Sequence, residues 1–262
     1  MSLSRNTASS PNPQRKGAGT DLLLGFALVL VILAMFGPRI DQAVHYHALA
    51  DQRSLFGLAH ALDVLSNLPF VLLGLLGLGN LRRIEQPLWS GLAATLAIGL
   101  LLTGLGSAWY HLQPDDQGLL WDRIGMGVSF AGVLGLAIAD RAGLRAGYGA
   151  VALVLLGSAL ALWAWRASGN LLAWVILQGG GMLLLVLLAG CRTQPGGYAF
   201  RLGQCVLLYA LAKLCELADA PLYQLSGELI SGHSLKHLLA ALAVLPLLLA
   251  LQRNRDTPTL LG

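Results

Sequence analysis

Apolar residues come in long runs, and polar residues are confined to the short breaks between them. The runs cover Leu22 to Phe36 and roughly 62–81, 88–111, 119–139, 147–165, 170–190, 200–217 and 233–252. Each approaches the ~20 residues an α-helix needs to cross a bilayer. The pattern predicts an all-α, polytopic transmembrane helix bundle, with seven core helices plus one extra N-terminal helix. Residues 1–20, rich in Ser, Pro, Asn and Gly, read as a disordered cytoplasmic tail. An extra transmembrane helix is expected over 21–38, a seven-helix domain over 51–252 and a second cytoplasmic tail over 253–262. The first run is short enough for a signal sequence. The small-residue stretch Ala48-Leu49-Ala50 lies far beyond its end, so an uncleaved anchor is expected.

Composition fits the same class. The chain is 56% hydrophobic and 11% charged, against about 25% charged in a soluble domain. The net charge of +4 sits in short clusters between apolar runs and is no nucleic-acid signal. It sets topology instead. With the N-terminus inside, Arg5, Arg15, Lys16, Arg82, Arg83, Arg141, Arg145, Arg192, Arg201, Arg253 and Arg255 face the cytoplasm. Only Arg39, Arg53, Arg123, Arg166, Lys213 and Lys236 fall outside, so both termini are expected inside a bacterial inner membrane. All six histidines then fall in the outer half. Trp109, Trp121, Trp163 and Trp165 are expected at the outer interface and Trp89 at the inner one. Cys191, Cys205 and Cys215 show no paired spacing and read as packing residues. Glycines such as Gly74, Gly77, Gly99, Gly104 and Gly106 suit close helix packing, and Gly179-Gly180-Gly181 could kink its helix.

The chemistry-bearing residues cluster at the outer ends of these runs. Ser107 and His111 are four apart, as are His233 and His237, and on a helix that spacing shares one face. With His111 at the same depth, the three imidazoles predict an open zinc site with room for water. Zinc would lower the pKa of such a water to about 7. Asp122 reads as a helix N-terminal acid, as a hydrogen-bonding partner behind a ligand imidazole, or as the general base that takes the water's proton. Ser107 reads either as a packing residue or as a donor to the oxyanion of an attacked acyl carbonyl. A second polar stripe, His60, Asp63 and Asn67 with Ser66 beside it, reads as a structural network. Asp51, Asp63 and Asn67 form its alternative, a hard-cation or calcium site. Lys213 and Glu216 are spaced to pair. Lys236 points away from the His233/His237 face by helical angle and is left out of the site.

These residues resemble the alkaline ceramidase family, in the superfamily of seven-helix membrane hydrolases that also holds the progestin and adiponectin receptors. The matching pieces are "GSAWYH" with Ser107 and His111, "LLWDRIG" with Asp122, "SGHSLKHLLAA" with His233 and His237, and "DVLSNLPF" from Asp63 to Phe70. The similarity spans roughly residues 51–252. It implies zinc held by His111, His233 and His237, with Ser107 and Asp122 completing an amidase site. It implies hydrolysis of a ceramide-like membrane lipid to a long-chain base and a fatty acid. Two departures stand out. The helix over 21–38 is additional, and the family's calcium-site Glu is replaced by His60, with only Asp51 in the preceding loop.

Two other functions fit the same residues. One is a lipid esterase or acyl-remodelling hydrolase. The other is a receptor-like protein whose zinc staples helices, which a fourth protein ligand would mark. A transporter is disfavoured, because no row of ionisable groups crosses to the inner side.

Overall fold

The computed structural model describes residues 13–252. The expected tails therefore lie outside the described residues over 1–12 and 253–262, whereas residues 13–20 open the first helix instead of trailing from it. The elements run α1 (Pro13–Phe36), α2 (Ala61–Leu65), α3 (Leu68–Asn80), α4 (Pro87–Leu112), α5 (Asp116–Ala142), α6 (Leu144–Ser168), α7 (Leu172–Ala189), α8 (Leu202–Leu217), α9 (Asp219–Leu225) and α10 (Gly232–Gln252). Among the described residues there is no strand, only two isolated bridges.

The bundle is a closed ring. Each of α3 to α8 packs on the next, α8 packs on α10, and α10 returns to α3. That makes seven core helices. α1 lies outside the ring against α7, where Gly180 meets Leu30. α5 is the most enclosed: 72% of its most apolar window is buried, against 28% for α6 and for α7. The outward faces stay apolar. Leu75 and Leu76 on α3, Leu156 and Leu160 on α6, and Leu207 and Leu214 on α8 are all exposed. A soluble monomer rarely shows contiguous apolar surface on that scale, so lipid is the solvent these faces fit. Among the described residues, six stretches are long and apolar enough to span a bilayer, and Asp21–Phe36 is a shorter apolar helix. The protein is an integral membrane helix bundle.

Several boundaries differ from the reading of the sequence. The run over 62–81 is broken at Ser66-Asn67 into α2 and α3, because Asn67 turns its amide back to the Asp63 carbonyl at 2.8 Å. α8 has 16 residues, fewer than α4, α5, α6, α7 or α10, and carries Lys213 and Glu216 near its end. α7 is continuous through Gly179-Gly180-Gly181. Trp109, Trp121 and Trp163 are exposed, as interfacial residues would be, but Trp165 and Trp89 are buried packers. Trp89 lies edge-on to Tyr198 and Phe200. Trp165 stacks beneath the buried guanidinium of Arg123, 4.2 Å from its ring centroid. All three cysteines are free.

Helix direction alternates around the ring, which sorts the ends. The ends of α1, α4, α6 and α8 and the starts of α2, α5, α7 and α10 share one side. The histidines are on that side.

Candidate metal centre

The α4–α5 contact sets the first half of the site. It is nearly backbone on backbone. A Cβ on Gly106 would sit 2.6 Å from the Trp121 carbonyl oxygen, and one on Gly99 or Gly125 would run into the facing main chain. Only glycine lets two helices approach so closely. The consequence is local: with Gly106 against the Trp121–Asp122 backbone, its neighbour Ser107 is brought next to Asp122. Both are buried, and His111 is fully buried one turn on from Ser107. α5 begins at Asp116, not near Asp122, and Asp115 caps it by accepting the Gly118 amide at 2.6 Å. Asp122 is therefore inside the helix, which removes the reading of it as an N-terminal acid.

The start of α10 sets the second half. Ser231 precedes the helix and accepts the Ser234 amide at 2.9 Å, an N-cap bond. Asp219 accepts the His233 amide at 2.8 Å and, with its other oxygen, the Ala50 amide at 3.1 Å. Asp63 lies beneath, accepting from the hydroxyls of Ser231 and Ser234 at 2.9 and 2.6 Å. Gly232 allows the close approach: a Cβ there would strike the Cys215 carbonyl and the Asp219 backbone. The loop at Ala50, α2 at Asp63 and the α8–α9 junction at Cys215 and Asp219 thus fix the turn that carries His233 and His237.

The two halves bring the histidines together. One nitrogen from each of His111, His233 and His237 lies within 4.8 Å of the others. Nε2 of His111 is 3.2 Å from Nε2 of His233, and the three ring centroids are 4.8–5.0 Å apart. Tetrahedral zinc with bonds of 2.0–2.1 Å places its ligand nitrogens roughly 3.3 Å apart. The donor set and its spacing fit a metal ion. Ser66 settles the orientation of His237. Its hydroxyl donates to the Asp63 carbonyl at 2.9 Å and so accepts from Nδ1 of His237 at 2.8 Å, leaving Nε2 as the lone-pair donor. Among the described residues, the cluster has three such donors and no fourth.

Lys236 corrects the reading of the sequence. Its Nζ is 3.1 Å from Nε2 of His233 and 3.2 Å from Glu216 Oε1, and Glu216 also pairs with Lys213. Helical angle alone placed Lys236 elsewhere. A lysine stem three residues from His233 is long enough to bend back over the same turn, and the anchoring carboxylate is on another helix. Ser66, Asp219, Ser231 and Ser234 were likewise not assigned to the centre. Ser231 and Ser234 carried a weak signal, serines beside a predicted helix start, whereas Ser66 lay inside one apolar run and Asp219 just past another.

The other stripe is divided. Asp51 takes the Arg53 guanidinium on both oxygens, at 2.8 and 2.7 Å, which holds its carboxyl below the usual range. Asp63 serves α10. Asn67 braces the α2–α3 break. His60 precedes α2 in a left-handed conformation, so it does not share a helical face with Asp63 and Asn67. His47 bonds Tyr110 and Asp116, apart from the triad, at 3.0 and 3.2 Å.

The chain matches no family model, no curated protein and no solved structure.

Proposed function

We propose that this protein is a zinc-dependent intramembrane hydrolase that cleaves the amide of ceramide or a ceramide-like lipid. The observation that carries this reading is a three-histidine centre beside a buried carboxylate, Asp122, that is not among its donors. Catalytic zinc sites keep three protein ligands and an open position, whereas structural sites are closed by four. The ion would be held by His111, His233 and His237, where it supplies Lewis acidity to an acyl carbonyl and acidity to water.

The chain's own residues do the rest. Asp122, oriented by the Ser107 hydroxyl, takes a proton from the attacking water. A C–O bond forms at the carbonyl carbon, the C–N bond breaks, and the proton passes from Asp122 to the departing nitrogen. The products are a fatty acid and a long-chain base. Ser107, next to Asp122 and one turn from His111, is placed to orient that carboxylate and also to donate to the oxyanion. The charge pattern of the loops supports a site facing the outer side of a bacterial inner membrane, with both termini in the cytoplasm.

The test is Asp122→Asn. Turnover of a short-chain ceramide is expected to fall by roughly 10²–10⁴-fold, the usual worth of a positioned acid–base group. Metal content is expected to stay unchanged. Normal turnover with normal metal content defeats the assignment. A parent protein that holds its metal and cleaves lipid esters but no amides moves the substrate class to esters.

A further inference from the structure

Lys236 is a cation beside the three imidazoles that would hold a metal ion. Its side chain is 19% exposed, and Glu216 is 27% exposed, while Lys213 stands more than half in solvent. Nζ of Lys236 approaches His233 at Nε2, the nitrogen that also faces His111. It therefore points at the inner side of the triad, where the three ligand atoms converge. Glu216 sits on α8 and Lys236 on α10, so the pair also ties two helices of the ring at the level of the histidines. Asp122 is close enough to be an electrostatic neighbour of Lys236.

The charges decide what this arrangement favours. The two lysines are offset by Glu216 and Asp122, and the three imidazoles as ligands are neutral. A divalent ion at the triad is then uncompensated in a low-dielectric surrounding, where unpaired charge is costly. An anion that reaches both the triad and Lys236 removes that cost. The bond it would make to the ammonium is charge-assisted, the strong kind. Lys213, further out and paired to the same glutamate, does not point at the triad. Its role is to share Glu216.

We propose that Lys236, anchored by Glu216, is the anion-binding residue of this centre, taking one oxygen of an acyl group. In the reaction, that oxygen is the carbonyl oxygen as it becomes negative; afterwards it is an oxygen of the fatty-acid carboxylate. The role in turnover rests on the hydrolase reading, but carboxylate binding does not.

The experiment uses the full-length protein in detergent, loaded with Co²⁺ in place of zinc and titrated with octanoate. The visible Co²⁺ spectrum reports binding. Lys236→Met is expected to weaken octanoate binding by roughly tenfold to a hundredfold, the worth of one hydrogen bond to a charged group. Lys236→Arg is expected to retain most of the affinity, and Lys213→Met to leave it nearly unchanged. Cobalt content is expected to hold in all three, because Lys236 is not a ligand. Glu216→Gln is the second route to the same question. It leaves the ammonium in place but frees it, and an intermediate loss of octanoate affinity is expected. Parent-like octanoate affinity in both Lys236→Met and Glu216→Gln overturns the proposal. Lys236-dependent octanoate binding in a protein that cleaves neither lipid amides nor lipid esters supports the anion site and removes the hydrolase reading. Amide cleavage with Lys236-independent binding does the reverse.

Discussion

Two buried polar clusters lie at opposite ends of the bundle, and they are built in opposite ways. At the end of α5, Asp140 is fully buried and every lone-pair direction is used. One oxygen accepts the amides of Tyr198 and Ala199 at 2.6 and 3.1 Å; the other accepts the Phe200 amide at 3.1 Å and the Arg141 guanidinium. Arg141 goes on to Thr193 and to the carbonyls of Leu188 and Phe200. This is a latch that fastens the α7–α8 loop to the foot of α5. At the other end, His111 is as deeply buried, yet its Nδ1 has no hydrogen-bond partner and its Nε2 faces another imidazole nitrogen. Buried polar groups are normally satisfied within the protein. A saturated cluster is finished as structure. One whose donor atoms converge on each other is organised around something it binds.

The first way to break the comparison gives the largest effect. A His233→Ala/His237→Ala double variant is expected to lose nearly all its metal, read by elemental analysis of purified protein. Retained metal at the parent's level would place the site elsewhere. The counterpart at the opposite end is Asp140→Ala. Removing one member of a buried pair strands the other charge and three amides, and is expected to cost about 3–5 kcal/mol. A large fall in thermal stability with parent-like metal content is the expected pattern. Metal loss without destabilisation would show that the two ends are not separate in role.

Finer probes test single supports, one at the centre and one in the loop before α2. Ser66→Ala removes the hydroxyl that orients His237 and is expected to lower metal affinity by about 10–100-fold, the usual effect of losing such a partner. A competition titration with a chelator reads it, and an unchanged affinity would mean that packing alone fixes the ring. The smallest effect belongs to Asp51. Its carboxyl is held below the ordinary value by Arg53, so its contribution to stability is complete above about pH 4. That contribution is lost as pH falls through the lowered folded value. Melting curves from pH 7 to pH 3 are therefore expected to converge for the parent and Asp51→Asn. Curves that diverge as pH falls would reverse the sign.

How much of this was legible in the residues differs by level. The bounds of α4, Pro87 and Leu112, lie within a residue of the apolar run over 88–111, because hydrocarbon-length runs between polar breaks admit few alternatives to a span. The break at Ser66-Asn67 had a signal in Pro69, which sits in the first turn of α3, but Asp63 and Asn67 four apart read equally well as a stripe on one continuous helix. The fully buried status of Trp89 also escaped, because an interfacial tryptophan and a packing one have the same sequence neighbourhood.

The sequence by itself determined the class of the molecule and the residues able to bind a metal. Apolar periodicity fixes spans, and a spacing of four fixes two histidines on one face whatever the surroundings. Only the tertiary structure decided which groups meet across helices. It took the glycine-lined α4–α5 contact to set Ser107 against Asp122, Ser66 on α2 to orient His237 on α10, and Glu216 on α8 to hold Lys236 over the triad. Those meetings depend on helix separation and rotation, which are set by packing between segments up to 171 residues apart. No local pattern carries that information.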